Sequence, residues 1–269
     1  MLYRNALQKL ALSVVAVAAC ATPAAGQESG FGCDDRSFGR DAQHCEIREY
    51  RLPAASSVLN IDARPNGAIE VLGSARADIQ VRAKVVTQAP TVEEARQLAS
   101  DIQVRAAAGQ VSASGPSVRD RRGWSVSYQV LVPTQTWLSL HSTNGAIRIE
   151  GVEAEIDFRT TNGAVSLARL GGQVKGTTTN GAVHVALGGS SWLGEGLNVE
   201  TTNGAVRITV PEGYSARLQA QTTNGRTRVD FPVTMQGRLD HGLDVTLGSG
   251  GPTVRVVTRN GGIHIGREK

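Results

Sequence analysis

Residues 156–167 read Ile156-Asp157-Phe158-Arg159-Thr160-Thr161-Asn162-Gly163-Ala164-Val165-Ser166-Leu167, and residues 197–208 read Leu197-Asn198-Val199-Glu200-Thr201-Thr202-Asn203-Gly204-Ala205-Val206-Arg207-Ile208. Apolar residues alternate with polar ones on both sides of Thr-Thr-Asn-Gly, the period-two pattern of a strand with one buried face. The phrase recurs. Asn-Gly occurs with Asn at 66, 144, 162, 180, 203, 224 and 260, whereas ten Asn and 31 Gly in 269 residues would meet about once by chance. The two residues before Asn are Ser142-Thr143, Thr160-Thr161, Thr178-Thr179, Thr201-Thr202 and Thr222-Thr223. From Asn144 the gaps are 18, 18, 23, 21 and 36 residues; the last is twice 18, and His241-Gly242 near its middle reads as a degenerate copy. A period of ~20 residues marks a repeat architecture.

Two folds can use this unit. In a parallel β-solenoid each repeat is a coil or part of one, and equivalent residues stack ~4.8 Å apart on the next coil. In an antiparallel meander each Asn-Gly is a type I′ hairpin turn. Gly, and to a lesser degree Asn, tolerates the positive φ that a sharp corner demands. The sameness of the two residues before Asn-Gly favours the solenoid, because a hairpin turn has little reason to fix them. The expected fold is all-β: a parallel β-solenoid with one short helix near residues 91–101. The alternative is an antiparallel meander of Asn-Gly hairpins.

Outward from the repeats, the tandem array spans 136–266 and a β region with the single helix spans 53–135. Arg64-Pro65-Asn66-Gly67 is an outlying, imperfect copy, and Thr91-Val92-Glu93-Glu94 reads as a capping box opening the helix. Residues 1–26 form a short basic start, an apolar run from Leu10 to Ala19 and small residues before Gln27, the order of a secretory signal peptide. The run is shorter than the ~20 residues of a membrane-spanning helix. Val17-Ala18-Ala19-Cys20 resembles a lipobox, so lipidation at Cys20 competes with ordinary cleavage after Gly26. In the segment 27–52, Cys33 and Cys45 remain as an even pair in an exported chain and read as a disulfide.

The formal charge of +4 falls to +2 once Arg4 and Lys9 leave with the leader, which argues against a nucleic-acid partner. With 40% hydrophobic residues there is enough apolar material for a core.

These residues resemble the candidate-adhesin, β-strand-repeat family of bacterial envelope proteins. The resemblance covers nearly all of the mature chain: His44-Cys45-Glu46-Ile47-Arg48-Glu49, the Thr91–Ser100 helix, Val132-Pro133 before the array, the Thr-Asn-Gly-Ala-Val copies and Val210-Pro211-Glu212-Gly213-Tyr214. It implies a β-helix-like fold and an exported or surface location, and it carries no catalytic residues over.

The residues themselves offer little chemistry. No nucleophile elbow, zincin helix, phosphate loop or Ca²⁺-binding nonapeptide occurs, so no catalytic residue, metal or cofactor is expected. A sugar-stacking cleft would have to draw on Trp124, Trp137 and Trp192. The outward position four after each Asn is Arg148, Ser166, His184, Arg207 and Arg228, a column with Arg207 and Arg228 as candidate neighbours. Like charges opposed in a sheet destabilise it mildly, so a column lacking acids invites an anion. The expected binding residues are therefore Arg148, His184, Arg207 and Arg228, facing an anionic envelope polymer or lipid headgroup. The expectation is an exported, non-enzymatic, envelope-associated scaffold or binding module in the periplasm, extracellular space or envelope. A carbohydrate-active enzyme on the same scaffold and an envelope-stress signalling partner are the alternatives.

Overall fold

The computed structural model describes residues 31–33, 41–54, 57–107, 109–232 and 242–268. The leader at 1–26, Cys20 and His241 lie outside the described residues. Two ten-stranded sheets face each other across one core, and seven Asn-Gly corners join them. Each coil gives one strand to either sheet. In stacking order the strand pairs are Leu59–Asp62 with Ile69–Ser74, Leu138–His141 with Ile147–Glu150, and Glu153–Thr160 with Val165–Ala168. Gly171–Asn180 with Val183–Ala186 and Gly196–Asn203 with Val206–Val210 follow. Thr253–Asn260 with Ile263–Arg267 comes sixth, and Ala216–Asn224 with Thr227–Val229 seventh. We call the sheet containing Glu153–Thr160 the long-strand sheet and its partner the short-strand sheet.

Neighbouring coils pair in parallel throughout, and the Asn residues keep register. This is the solenoid and not the meander. Antiparallel pairing among the described residues is confined to the two ends.

Inward residues repeat on themselves: Leu138, Ile156, Val174 and Leu197 form one column, and Ile147, Val165, Val183 and Val206 face it from the other sheet. Each such aliphatic contributes on the order of 1.5–3 kcal/mol on burial. One step is uneven. Phe158 lies beneath Gly176, where an added Cβ would come within 2.2 Å of the ring. The missing side chain makes room for the aromatic one, conserving volume across two coils.

Chain order and stacking order part company at the C-terminal end, which corrects two expectations. Among the described residues the 36-residue gap holds no degenerate coil. Gly242 instead opens Gly242–Leu247, which runs antiparallel along the outside of Ala216–Asn224. Its Leu243, Val245 and Leu247 are buried, so the strand closes that edge of the long-strand sheet. The chain then returns, and its last coil takes the place between the fifth and seventh. The Asn66 copy, read as outlying, is the first coil and lies in register on the Asn144 coil.

The other end is closed by Ala42–Pro53, Asp78–Ala89 and Gly123–Pro133 on the short-strand sheet and by Gln103–Ala107 and Gln110–Ser114 on the long-strand sheet. The helix, Val92–Asp101, covers this cap through buried Ala95, Leu98 and Ala99. Thr91 caps it by accepting from the Glu94 amide at 3.2 Å. Glu94 itself turns to Arg122, at 3.2 Å. Arg48 closes the opposite terminus, donating to the carbonyls of Ala99 (2.8 Å) and Ile102 (2.6 Å). A disulfide joins Cys33 to Cys45 in the first cap strand.

Candidate functional site

The Asn-Gly corner is built from three residues with three duties. The hydroxyl two residues before Asn is buried and donates to the glycine carbonyl of the adjoining coil. Ser142 reaches Gly67 at 2.7 Å, Thr160 reaches Gly145 and Thr178 reaches Gly163 at 3.0 Å, and Thr201 reaches Gly181 at 2.9 Å. Thr258 and Thr222 do the same to Gly204 and Gly261, at 2.9 and 2.8 Å. The Asn side chains form an exposed column in which each amide after the first donates to the carbonyl oxygen of the Asn before it in the stack at 2.7–2.8 Å. The column runs Asn66, Asn144, Asn162, Asn180, Asn203, Asn260, Asn224. Since an amide has two N–H donors and two acceptor sites, every Asn keeps hydrogen-bonding capacity facing outward.

The glycine has a different role from the one expected. None of the seven corner glycines lies in the positive-φ region. Each is needed because its α-carbon sits on a neighbouring carbonyl, that of the adjoining coil for six of them and that of Val126 in the cap for Gly67: a Cβ on Gly163 would stand 2.0 Å from the Gly145 oxygen, and one on Gly181 would stand 1.9 Å from that of Gly163. Close approach, not backbone handedness, selects glycine here.

The outward column four residues after Asn lies on the short-strand sheet. Its order is Glu70, Arg148, Ser166, His184, Arg207, His264, Arg228. Arg207 and Arg228 are therefore not neighbours: His264 stands between them because the last coil inserts there. Nor does the column lack acids. Arg148 lies 2.8 Å from Glu150 and 3.5 Å from Glu70, and Arg169 also binds Glu150. Asp230 holds both Arg228 (2.9 Å) and His264 (2.5 Å). The hydrogen bond from Arg148 keeps the Glu150 carboxyl below its usual range, and the bond to His264 does so for Asp230.

Between these balanced ends lie Ser166, His184 and Arg207, and among the described residues Arg207 has no carboxylate partner. Burial, followed by the neighbouring Arg207 charge, pushes the His184 pKa down, which favours neutral imidazole. Its Nε2 lies 3.5 Å from Thr209 Oγ1. The acids and His264 had a signal in the sequence: Glu70 and His264 sit four after Asn66 and Asn260, and Glu150 sits six after Asn144, at the next outward position.

The three tryptophans separate by exposure. Trp192 is 4% exposed and donates to the Gly172 carbonyl at 3.0 Å. Trp124 is half-buried and donates to that of Pro116, also at 3.0 Å. Trp137 is 53% exposed. The open cavities of the N-terminal half include one of about 550 Å³ between the helix and the loop at 116–122, and one of about 440 Å³ over Asn60, Asp62 and His141. Among the described residues no three His, Cys, Asp or Glu side chains gather to hold a metal, and no helix is long and apolar enough to cross a membrane.

A family model described as Toastrack DUF4097 matches residues 66–266. No curated protein matches the chain. Among solved structures it is similar to a candidate cell adhesion protein from Clostridium sporogenes, at 12% identity over 84% of this chain and 100% of that one, with a TM-score of 0.48. A candidate adhesin from Bacteroides fragilis is 15% identical over 84% of this chain and 97% of that one, with a TM-score of 0.33. A candidate lipid binding protein from Parabacteroides distasonis is 12% identical over the same shares, 84% and 97%, with a TM-score of 0.34.

Proposed function

This chain belongs to the Toastrack DUF4097 family, and on that premise we propose that it is an exported, non-enzymatic, envelope-associated scaffold and binding module, adhesin-like in displaying one surface coil after coil. The observation that carries this reading is the unbroken column of seven exposed Asn side chains. A parallel stack that never slips register repeats its outward chemistry every ~4.8 Å, which suits an extended ligand touching several coils at once. Export is supported by the leader-like segment at 1–26 and by the Cys33–Cys45 disulfide, a bond that persists in oxidising compartments. Lipid attachment at Cys20 is the anchoring route this sequence allows.

The partner is an anionic envelope polymer or lipid headgroup lying along the short-strand face. Arg148, His184, Arg207 and Arg228 remain its binding residues, with unequal weights. Arg148 and Arg228 already face carboxylates, so Arg207, with His184 beside it, is the anchor. The test is co-sedimentation of the full chain with phosphatidylglycerol vesicles, against phosphatidylcholine vesicles, at low and high salt. Retention on the anionic vesicles at low salt is expected, together with severalfold loss in Arg207→Ser and a smaller loss in the Arg148→Ser/Arg228→Ser pair. Equal retention on both lipids, or a bound fraction unchanged by Arg207→Ser, overturns the anionic partner.

A further inference from the structure

The outer face of the long-strand sheet is not uniform along the stack. Over the later coils its polar groups are occupied with one another. Arg255 donates to Asn198 (2.7 Å) and Glu200 (2.8 Å), while Arg217 and Gln219 converge on Asp244. Over the first three coils the pattern thins, Asp62 being held by Arg64 while several of its neighbours stay open. Ser139, His141, Asp157 and Gln110 have no side-chain hydrogen bond among the described residues; His141 and Gln110, with Asn60 and Asp62, line the cavity of about 440 Å³, and Ser139 lies beside Asn60 in register with Asp157 on the next strand. That volume lies within the ~300–1,000 Å³ of ligand pockets.

Register places an aromatic group at the end of this surface. Trp137, Ser139 and His141 alternate with buried Leu138 and Leu140, so all three point outward, on the order of 6–7 Å apart along the strand. On the adjoining first coil Val58, Asn60 and Asp62 alternate in the same way around buried Leu59 and Ile61. Trp137 and Val58 therefore form an apolar shelf, 53% and 36% exposed, leading into a bed of hydroxyl, amide, imidazole and carboxylate groups.

We propose that this groove binds a segment of a neutral glycan, with one pyranose ring stacked on Trp137 and the next hydrogen-bonded by Asn60, Ser139 and His141. An indole face complements the C–H face of a sugar ring, while closely spaced donors and acceptors complement its hydroxyls. The charges speak against a polyanion. Asp62 is held by Arg64 through Nε at 2.9 Å, and Asp157 stands beside Ser139 where an anion would be repelled. A peptide adding itself as a strand is also disfavoured, because both strands under the groove are already paired on either side. This inference is independent of the anionic partner on the opposite sheet.

The test uses the full chain with three neutral probes: cellohexaose, maltohexaose and the hexamer of N-acetylglucosamine, each to millimolar concentration. At least one should shift tryptophan emission and shield it from acrylamide, and Trp137→Ala should weaken that binding at least tenfold by calorimetry. The melting temperature should stay unchanged, since the side chain is largely exposed. Asn60→Ala/His141→Ala should weaken binding severalfold, and Arg207→Ser should leave it intact. Silence from all three probes, or binding that survives Trp137→Ala, overturns the proposal. So does a loss of vesicle retention in Trp137→Ala, which would assign this face to a membrane.

Discussion

Each coil turns two corners, and they are made by opposite rules. At the Asn-Gly corner, copy after copy keeps the same residues, and no glycine adopts positive φ. At the other corner the connections range from the two residues between Glu150 and Glu153 to the nine between Ala186 and Gly196, and positive-φ glycines recur at Gly151, Gly172, Gly189, Gly194 and Gly213. The first corner is constrained from outside, by the coil lying against it. The second is constrained in part by its own backbone: Gly189 and Gly213 have positive φ with nothing within 4 Å of an added Cβ, while Gly151, Gly172 and Gly194 also lie against the backbone of another coil. Repetition in a sequence therefore marks where coils touch most closely, and variation marks where each turn is free to find its own path.

The sharpest way to break this comparison is to add one carbon at either corner. Gly163→Ala forces a methyl into the Gly145 carbonyl and should cost upward of about 3 kcal/mol, since backbone cannot move aside as a side chain can. Gly189→Ala meets no atom within 4 Å and carries only the left-handed penalty of φ 71°, about 1 kcal/mol. Urea denaturation of the two variants should show the ordering; equal costs would mean that stacking does not select the corner glycine.

A smaller effect separates the two threonines. Thr178→Val keeps the β-branch and leaves the Gly163 carbonyl without its hydroxyl donor, for about 1–2 kcal/mol. Thr179→Val, one residue on and exposed, should stay within about 0.5 kcal/mol. Comparable losses at both positions in the same denaturation assay would refute a buried ladder.

The smallest effect belongs to the variable corner, where Glu150 joins Arg148 and Arg169. A carboxyl whose pKa is depressed by folding contributes its stability above the unfolded value and loses it as pH falls through the folded one. Native chain should thus exceed Glu150→Gln by about 0.5 kcal/mol at neutral pH, both arginines being more than half exposed. The gap should close as pH drops below 4.5, the ordinary value for this group. A gap that widens in acid would reverse the sign of that contribution.

Much of the candidate surface was legible because strand parity is a local property. The outward phase of Arg148, His184, Arg207 and Arg228 follows from counting four residues past Asn, and the same count finds Glu70 and His264. Arg148 and Glu150 are two apart on one strand, whereas the pairing of Arg169 with Glu150 was harder to read, since it needs positions on different coils to be aligned. The role of glycine was misjudged for a related reason: a turn seen alone suggests an unusual φ, while the obstructing carbonyl belongs to another coil. Trp137 could not be told from Trp192 by composition, because exposure depends on what lies over each ring.

By itself the sequence determined the strands, their buried faces and the preference of each Thr-Thr-Asn-Gly unit for stacking on another of its kind. Alternation and a buried hydroxyl are encoded within a dozen residues. The order of the stack was decided by tertiary structure alone. Identical corners can hydrogen-bond to one another in any sequence of coils, so local pairing energies barely distinguish one neighbour from another. The edge-closing strand at Gly242–Leu247 and the returning final coil break that degeneracy, placing His264 between Arg207 and Arg228.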